Sequence, residues 1–178
     1  MTKTEAMERI TAYLRQRRIP FRSLMDEERI LSFHDLSSQS IYLCTIREDV
    51  IGSAIETMIR FEEDYCYFQF FFAQPIIHTE KEESRAARIC NYMNVHLQWN
   101  CNSLFNHTYL YQDEGELYNE CLIRYDLLEL YFQEAMDHLL HYGVQQMADV
   151  CVPVVSYLTG RFSYEDCKHY LETNVMGN

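Results

Sequence analysis

Residues 65–75 read YCYFQFFFAQP, and where this stretch can be placed decides the fold. With a period of two, Cys66, Phe68, Phe70 and Phe72 point one way and Tyr67, Gln69 and Phe71 the other. Toward its end the stretch is apolar on both faces. At a sheet edge such a strand is an aggregation hazard, so it belongs in the centre of a sheet. Pro75, which has no amide hydrogen to donate, ends it.

Upstream the same period repeats. RILSFHD (29–35), SIYLCTI (40–46) and SAIETMIRF (53–61) each alternate apolar with polar residues and read as half-buried strands. DLSSQS, REDVIG and FEED supply short polar connections, which suit an antiparallel meander rather than crossover helices. Before them, Met7, Ile10 and Leu14 recur at strides of three and four. Thr2 and Glu5 are spaced as a capping box, so residues 3–18 read as an amphipathic helix that Pro20 stops.

Downstream, Thr79 and Glu82 repeat the capping-box spacing. Ala86, Ile89, Cys90, Met93 and Leu97 then keep one helical face apolar through about Trp99. Residues 109–126, YLYQDEGELYNECLIRYD, form two alternating runs around Asp113, Glu114 and Gly115. A short hairpin loop of this kind wants glycine in the left-handed region, and Leu117, Cys121, Ile123 and Tyr125 supply one buried face. The longest periodic run follows: Phe132, Met136, Leu139, Gly143, Met147, Val150, Val154 and Leu158 mark a helix of about seven turns. Pro153 inside it predicts a kink or break, at a cost of ~3 kcal/mol that packing must offset. Gly160 suits a helix C-terminus, and Ser163 with Asp166 starts a short last helix.

The expected fold class is therefore α+β: an antiparallel sheet of five or six strands with helices packed on one face, in the order α-β-β-β-α-β-β-α. A chain of 178 residues, 48% hydrophobic and 24% charged, reads as one domain spanning 1–178. Its net charge of -12 and pI near 4.9 repel a phosphate backbone or an anionic membrane surface, so no nucleic-acid or membrane partner is expected. Seven cysteines between Cys44 and Cys167, without a CxxC pair, suit a reduced, cytoplasmic protein better than a disulfide framework. The first residues are charged and amphipathic, unlike a signal peptide, and the longest weakly polar runs fall short of the ~20 residues that span a bilayer.

Candidate chemistry is sparse. Asp113, Glu114 and Glu116 put three carboxylates around one glycine, which a turn explains; a calcium loop needs oxygen ligands alternating over about twelve residues. His138 and His141, near Glu134 and Asp137, are the most metal-like constellation, but HExxH and paired Glu-x-x-His patterns are absent. No GxGxxG or GxxxxGK[ST] loop cradles a phosphate. The basic run RQRRIPFR carries Arg15, Arg17, Arg18 and Arg22, and arginines at a helix C-terminus complement the helix dipole as readily as they bind an acidic partner. The aromatic strand lacks the K/R-G-F/Y pattern of an RNA-recognition sheet. The expectation is no catalytic residue, no cofactor, no metal and no identified small-molecule substrate. What remains is a surface: Tyr67 and Phe71, on the second face of the central strand, are the candidate partner-binding residues unless another helix covers them. The alternatives are an enzyme whose Cys and His meet only in the fold, and a weak nucleic-acid binder.

Asn91-Tyr92, the Asp113 to Leu117 hairpin, Asp149, Pro153, Gly160 and the SYEDC run from Ser163 resemble the second half of the YbjN family, also described as sensory transduction regulators. The resemblance covers roughly residues 85–172; over the first 80 residues only the order of elements agrees. Cys167 departs from it, standing where a small residue is more usual. It implies a fold similar to type III secretion chaperones, no defined reaction, and a chaperone-like or regulatory module of the bacterial cytoplasm that binds a protein partner or a second copy of itself as a homodimer.

Overall fold

The computed structural model describes residues 1–23, 40–46, 54–72, 74–97, 106–111 and 115–174. The strand expected at 29–35, and Asp113 and Glu114 of the acidic hairpin, lie outside them. The described elements run α1 (Lys3–Gln16), β1 (Arg22–Ser23), β2 (Ser40–Ile46), β3 (Ala54–Phe61), β4 (Tyr65–Phe72), α2 (Glu80–Tyr92), β5 (Asn106–Tyr111), β6 (Glu116–Arg124), α3 (Tyr125–Leu130), α4 (Phe132–Leu158) and α5 (Tyr164–Asn174). The molecule is α+β. Its antiparallel sheet has the strand order β1-β2-β3-β4-β6-β5, in which β1 contributes only two residues.

The aromatic strand β4 is central, hydrogen-bonded to β3 on one side and β6 on the other. Register places Ile59 against Phe68, Phe68 against Cys121, and Thr57 against Phe70. A slip of one residue would turn Phe68 and Phe70 outward, so burying the phenylalanines selects this register. The inward face, with Ile41, Leu43, Ile55, Ile59, Phe61, Cys66, Phe68, Phe70, Phe72 and Leu117, is almost fully buried.

Helix α4 lies across that face. Met136, Leu139, Met147, Val150 and Val154 are buried along it, and Gly143 sits where any Cβ would overlap the ring of Phe70. Of the kink or break expected at Pro153, the break does not occur: α4 is continuous through it. Pro153 is itself buried, and the Cys167 thiol of α5 donates to its carbonyl at 3.4 Å. Packing on both flanks offsets the lost amide bond.

Local chemistry sets the ends of the helices. Thr2 and Glu5 form both bonds of a capping box at α1. Thr79 caps α2 through the Glu82 amide, and Ser163 and Asp166 exchange bonds before α5. After α1, the Arg18 amide bonds the Arg15 carbonyl and the Ile19 amide the Leu14 carbonyl, with Arg18 at φ 57. After α4 the same pair of bonds closes around Gly160 at φ 81. This is the Schellman arrangement, built once with arginine and once with glycine. Arg85 of α2 adds two bonds from Nη1 to the Tyr157 and Leu158 carbonyls, tying α2 to the end of α4.

Two details differ from expectation. The second α-helix ends at Tyr92 and continues as a wider π-helical turn over Met93–Leu97. Tyr125, expected on a strand, opens α3 instead; its amide donates to Asp64 and its hydroxyl to Glu62, which clamps the β3–β4 turn. Gly115 has φ 68, as the hairpin requires, and its carbonyl accepts from the Ile76 and Ile77 amides at 3.1 Å. Among the described residues, no helix is long and apolar enough to cross a membrane.

Candidate functional site

The helices sit on the inward side of the sheet: α1 reaches α4 through Tyr13 and Asp137, α2 through Arg85, and α5 through Cys167. The final helix, which could have covered Tyr67 and Phe71, packs on α4 and against Tyr92 of α2, whose hydroxyl donates to Glu172. Among the described residues the outward face therefore has no helix over it.

Strand pairing builds that face row by row. Tyr67 lies opposite Arg60 on β3 and Leu122 on β6; Phe71 lies opposite Glu56 and Tyr118; Tyr42 of β2 lies opposite Met58. Tyr67, Phe71, Tyr118 and Tyr42 are half-buried, and Leu122 is 40% exposed. Between the two candidate aromatics sits Gln69, 7% exposed, whose Nε2 donates to Glu120 at 2.7 Å. Tyr65 meets the Tyr67 ring edge-on at 5.1 Å, and the Arg60 guanidinium lies 5.6 Å from the same ring. The hydrogen bond from Tyr67 to Tyr65, with partial burial, pushes the Tyr67 phenol up to about 12, so it is neutral at physiological pH.

The charges of this face are unequal in standing. Arg60 is paired with Glu62 at 3.0 Å and Arg124 with Asp126 at 3.1 Å. Glu56 has no cationic partner among the described residues, and the described partner of Glu120 is the neutral Gln69 amide. Three polar atoms under the aromatic layer, Ser40 Oγ, Arg60 Nε and Gln69 Oε1, are buried with no hydrogen-bond partner. Each such atom costs about 1 to 3 kcal/mol relative to a satisfied one.

The other candidates disperse. His138 and His141 are exposed and flank the Tyr142 ring at 4.6 and 5.2 Å. Among the described residues no group of three or more His, Cys, Asp or Glu side chains could hold a metal. Cys66, Cys90, Cys121, Cys151 and Cys167 are buried and free. Burial pushes all five thiols up, Cys151 to about 11 and Cys90 to about 12, so none is a thiolate at neutral pH. The basic run is divided: Arg15 lies over Phe21, Arg17 bonds Asp137, and Arg22 lies over Tyr42.

A second feature went unseen in the sequence. Between the end of α1, the first half of α4 and the inward side of β2 and β3 lies a cleft of about 440 Å³. At its mouth Asp137 accepts from Tyr13, Arg17 and Gln133, and these bonds, the one from Tyr13 first, hold its carboxyl below the usual range. Burial first, and then Asp137, push the Tyr13 phenol up to about 12. The sequence signal was Thr57, a hydroxyl residue in the otherwise apolar inward register of β3. The chain matches no family model, no curated protein and no solved structure.

Proposed function

We propose that this chain is a protein-binding module of the bacterial cytoplasm, chaperone-like or regulatory, that holds a partner's apolar segment flanked by lysine or arginine against its outward sheet face. The observation that carries this reading is the run of half-buried aromatics, Tyr42, Tyr67, Phe71 and Tyr118, on a face without a helix over it among the described residues. Contiguous aromatic surface of this kind is characteristic of interfaces. The basic flanks follow from charge around Tyr67 and Phe71: Arg60 and Arg124 are already paired with carboxylates and Arg22 lies over Tyr42 at the far edge, whereas Glu56 and Glu120, beside the two candidate aromatics, have no cationic partner among the described residues. A second copy of the chain would bring another net charge of -12 against the first, which favours a different partner over a homodimer. The resemblance of residues 85–172 to the YbjN family agrees with a chaperone-like role.

The test is anisotropy of two labelled peptides with the same aromatic and aliphatic centre, one flanked by lysines and one by glutamates. The lysine-flanked peptide should bind about tenfold tighter. Changing Tyr67 and Phe71 together to serine should weaken it by a similar factor while circular dichroism stays unchanged. A folded double variant that binds as the parent does would sink the reading. Light scattering covers the homodimer: a dimer in the parent that becomes monomeric in the double variant would assign the face to self-association instead.

A further inference from the structure

The cleft beside α1 stands apart from the outward face, on the other side of the sheet. Its floor is Leu43, Thr57 and Val144, its α4 wall includes Leu140, and Arg17 stands at its mouth. The volume of about 440 Å³ falls within the ~300 to 1,000 Å³ typical of small-molecule pockets.

Two polar groups of the cleft, Thr57 on its floor and the half-exposed Arg17 at its mouth, keep hydrogen-bonding capacity that no described residue uses. Thr57 is 1% exposed, yet its hydroxyl has no hydrogen-bond partner among the described residues. Arg17 spends only one nitrogen on the chain: Nη2 gives both bonds to Asp137, at 2.9 and 3.1 Å, while Nε and Nη1 have no described partner. Asp137 is already saturated by three donors, so its charge is answered within the mouth. The remaining titratable group at the cleft, His141, adds no negative charge. The net charge of -12 acts through a Debye length of about 8 Å, so a local guanidinium outweighs distant carboxylates.

We propose that the cleft binds a short aliphatic acid with a second polar function: carboxylate to a free N–H of Arg17, hydrocarbon along Leu43, Leu140 and Val144, and a hydroxyl or oxo group to Thr57. A charged N–H to a carboxylate is among the stronger hydrogen bonds, and an isolated buried hydroxyl recognises one polar atom. The proposal involves no covalent step.

Calorimetric titration with straight-chain ω-hydroxy acids of about four to ten carbons tests it. At the chain length that fits, the hydroxy acid should bind about tenfold tighter than the diol of equal length, and about fivefold tighter than the plain acid. Arg17→Gln should abolish the first preference and Thr57→Val the second, while Thr57→Ser, which keeps the hydroxyl, retains it. Thr57→Val should melt no lower than the parent without ligand, because no described partner is lost. Val144→Phe, which fills the cleft, should remove binding in a protein that is folded by circular dichroism. Absence of binding across the series, equal binding of acid and diol, preferences that survive both variants, or a Thr57→Val protein that melts well below the parent would each overturn the assignment. None of these readouts involves Tyr67 or Phe71, so success or failure here is separate from that of the outward face.

Discussion

The two faces of one sheet use the same strands and opposite chemistry. Inward, Ile59, Phe68 and Phe70 are wholly buried and held by the helix above them. Outward, Tyr67, Gln69 and Phe71 alternate with those residues along the same backbone, and the row is braced by the Tyr65–Tyr67 ring contact and the Gln69–Glu120 bond. The inward face carries most of the stability because its area leaves water completely. The outward face keeps apolar area part-exposed and available. Neighbouring residues in sequence should therefore respond very differently to the same truncation.

The largest effect should come from Phe68→Ala, which opens a cavity under α4 and should cost about 3 to 5 kcal/mol in denaturant melts. Gly115→Val, at the hairpin on the way to both faces, should cost about 2 to 4 kcal/mol. It combines a β-branched residue at φ 68 with a Cβ overlapping the Ile77 carbonyl. If this variant melts like the parent, the turn geometry is wrong. The Tyr67→Ser, Phe71→Ser pair should lose only about 1 kcal/mol per site, since neither ring is fully buried. A loss near that of Phe68→Ala would erase the contrast between the faces.

The smallest effect concerns Asp137, at the edge of the helical layer. Its carboxyl is held below the usual aspartate range by bonds from Tyr13 and Gln133, with Arg17 adding to the effect. A depressed folded-state pKa means a stabilising contribution complete above the unfolded value and lost as pH falls through the lowered one. Asp137→Asn should differ from the parent by a constant amount above about pH 5, and the two stability curves should converge in stronger acid. A difference that persists unchanged below pH 3, as an order-of-magnitude bound, would mean that Asp137 acts through shape rather than charge.

How far these features could be read from the residues depends on how local their causes are. The central position of YCYFQFFF, the glycine at Gly115 and the capping residues Thr2, Thr79 and Ser163 follow from spacing within a few positions. Tyr67 and Phe71 could be placed on the second face by the period of two, but what lay over them could not. The amphipathic pattern of α5 says which side of it is buried, not which surface it meets. The cleft was illegible for a similar reason: Arg17 and Asp137 stand 120 positions apart, and only the packing of α1 on α4 brings them together. Thr57 was visible as a polar residue among Ile55, Ile59 and Phe61, yet its meaning depended on a cavity that no spacing describes. Pro153 does not break α4 because the intrinsic cost of proline in a helix is local, while the burial that offsets it is not.

The strand order also sets a sequence of events in time. The β3–β4 hairpin closes through a turn at residues 62–64, so it can form as soon as its own residues are available. Its phenylalanine-rich outer edge pairs with β6, and the bonded residues Gln69 and Glu120 are 51 positions apart. β5, although made earlier than β6, is hydrogen-bonded among the described strands to β6 alone and cannot shield that edge in its place. During synthesis at about 5 to 20 residues per second, β4 waits on the order of several seconds with one row of amides and carbonyls unmatched. The centre of the finished sheet is thus the exposed rim of the growing one, and the yield of folded chain should depend on what meets that rim before residue 124 emerges.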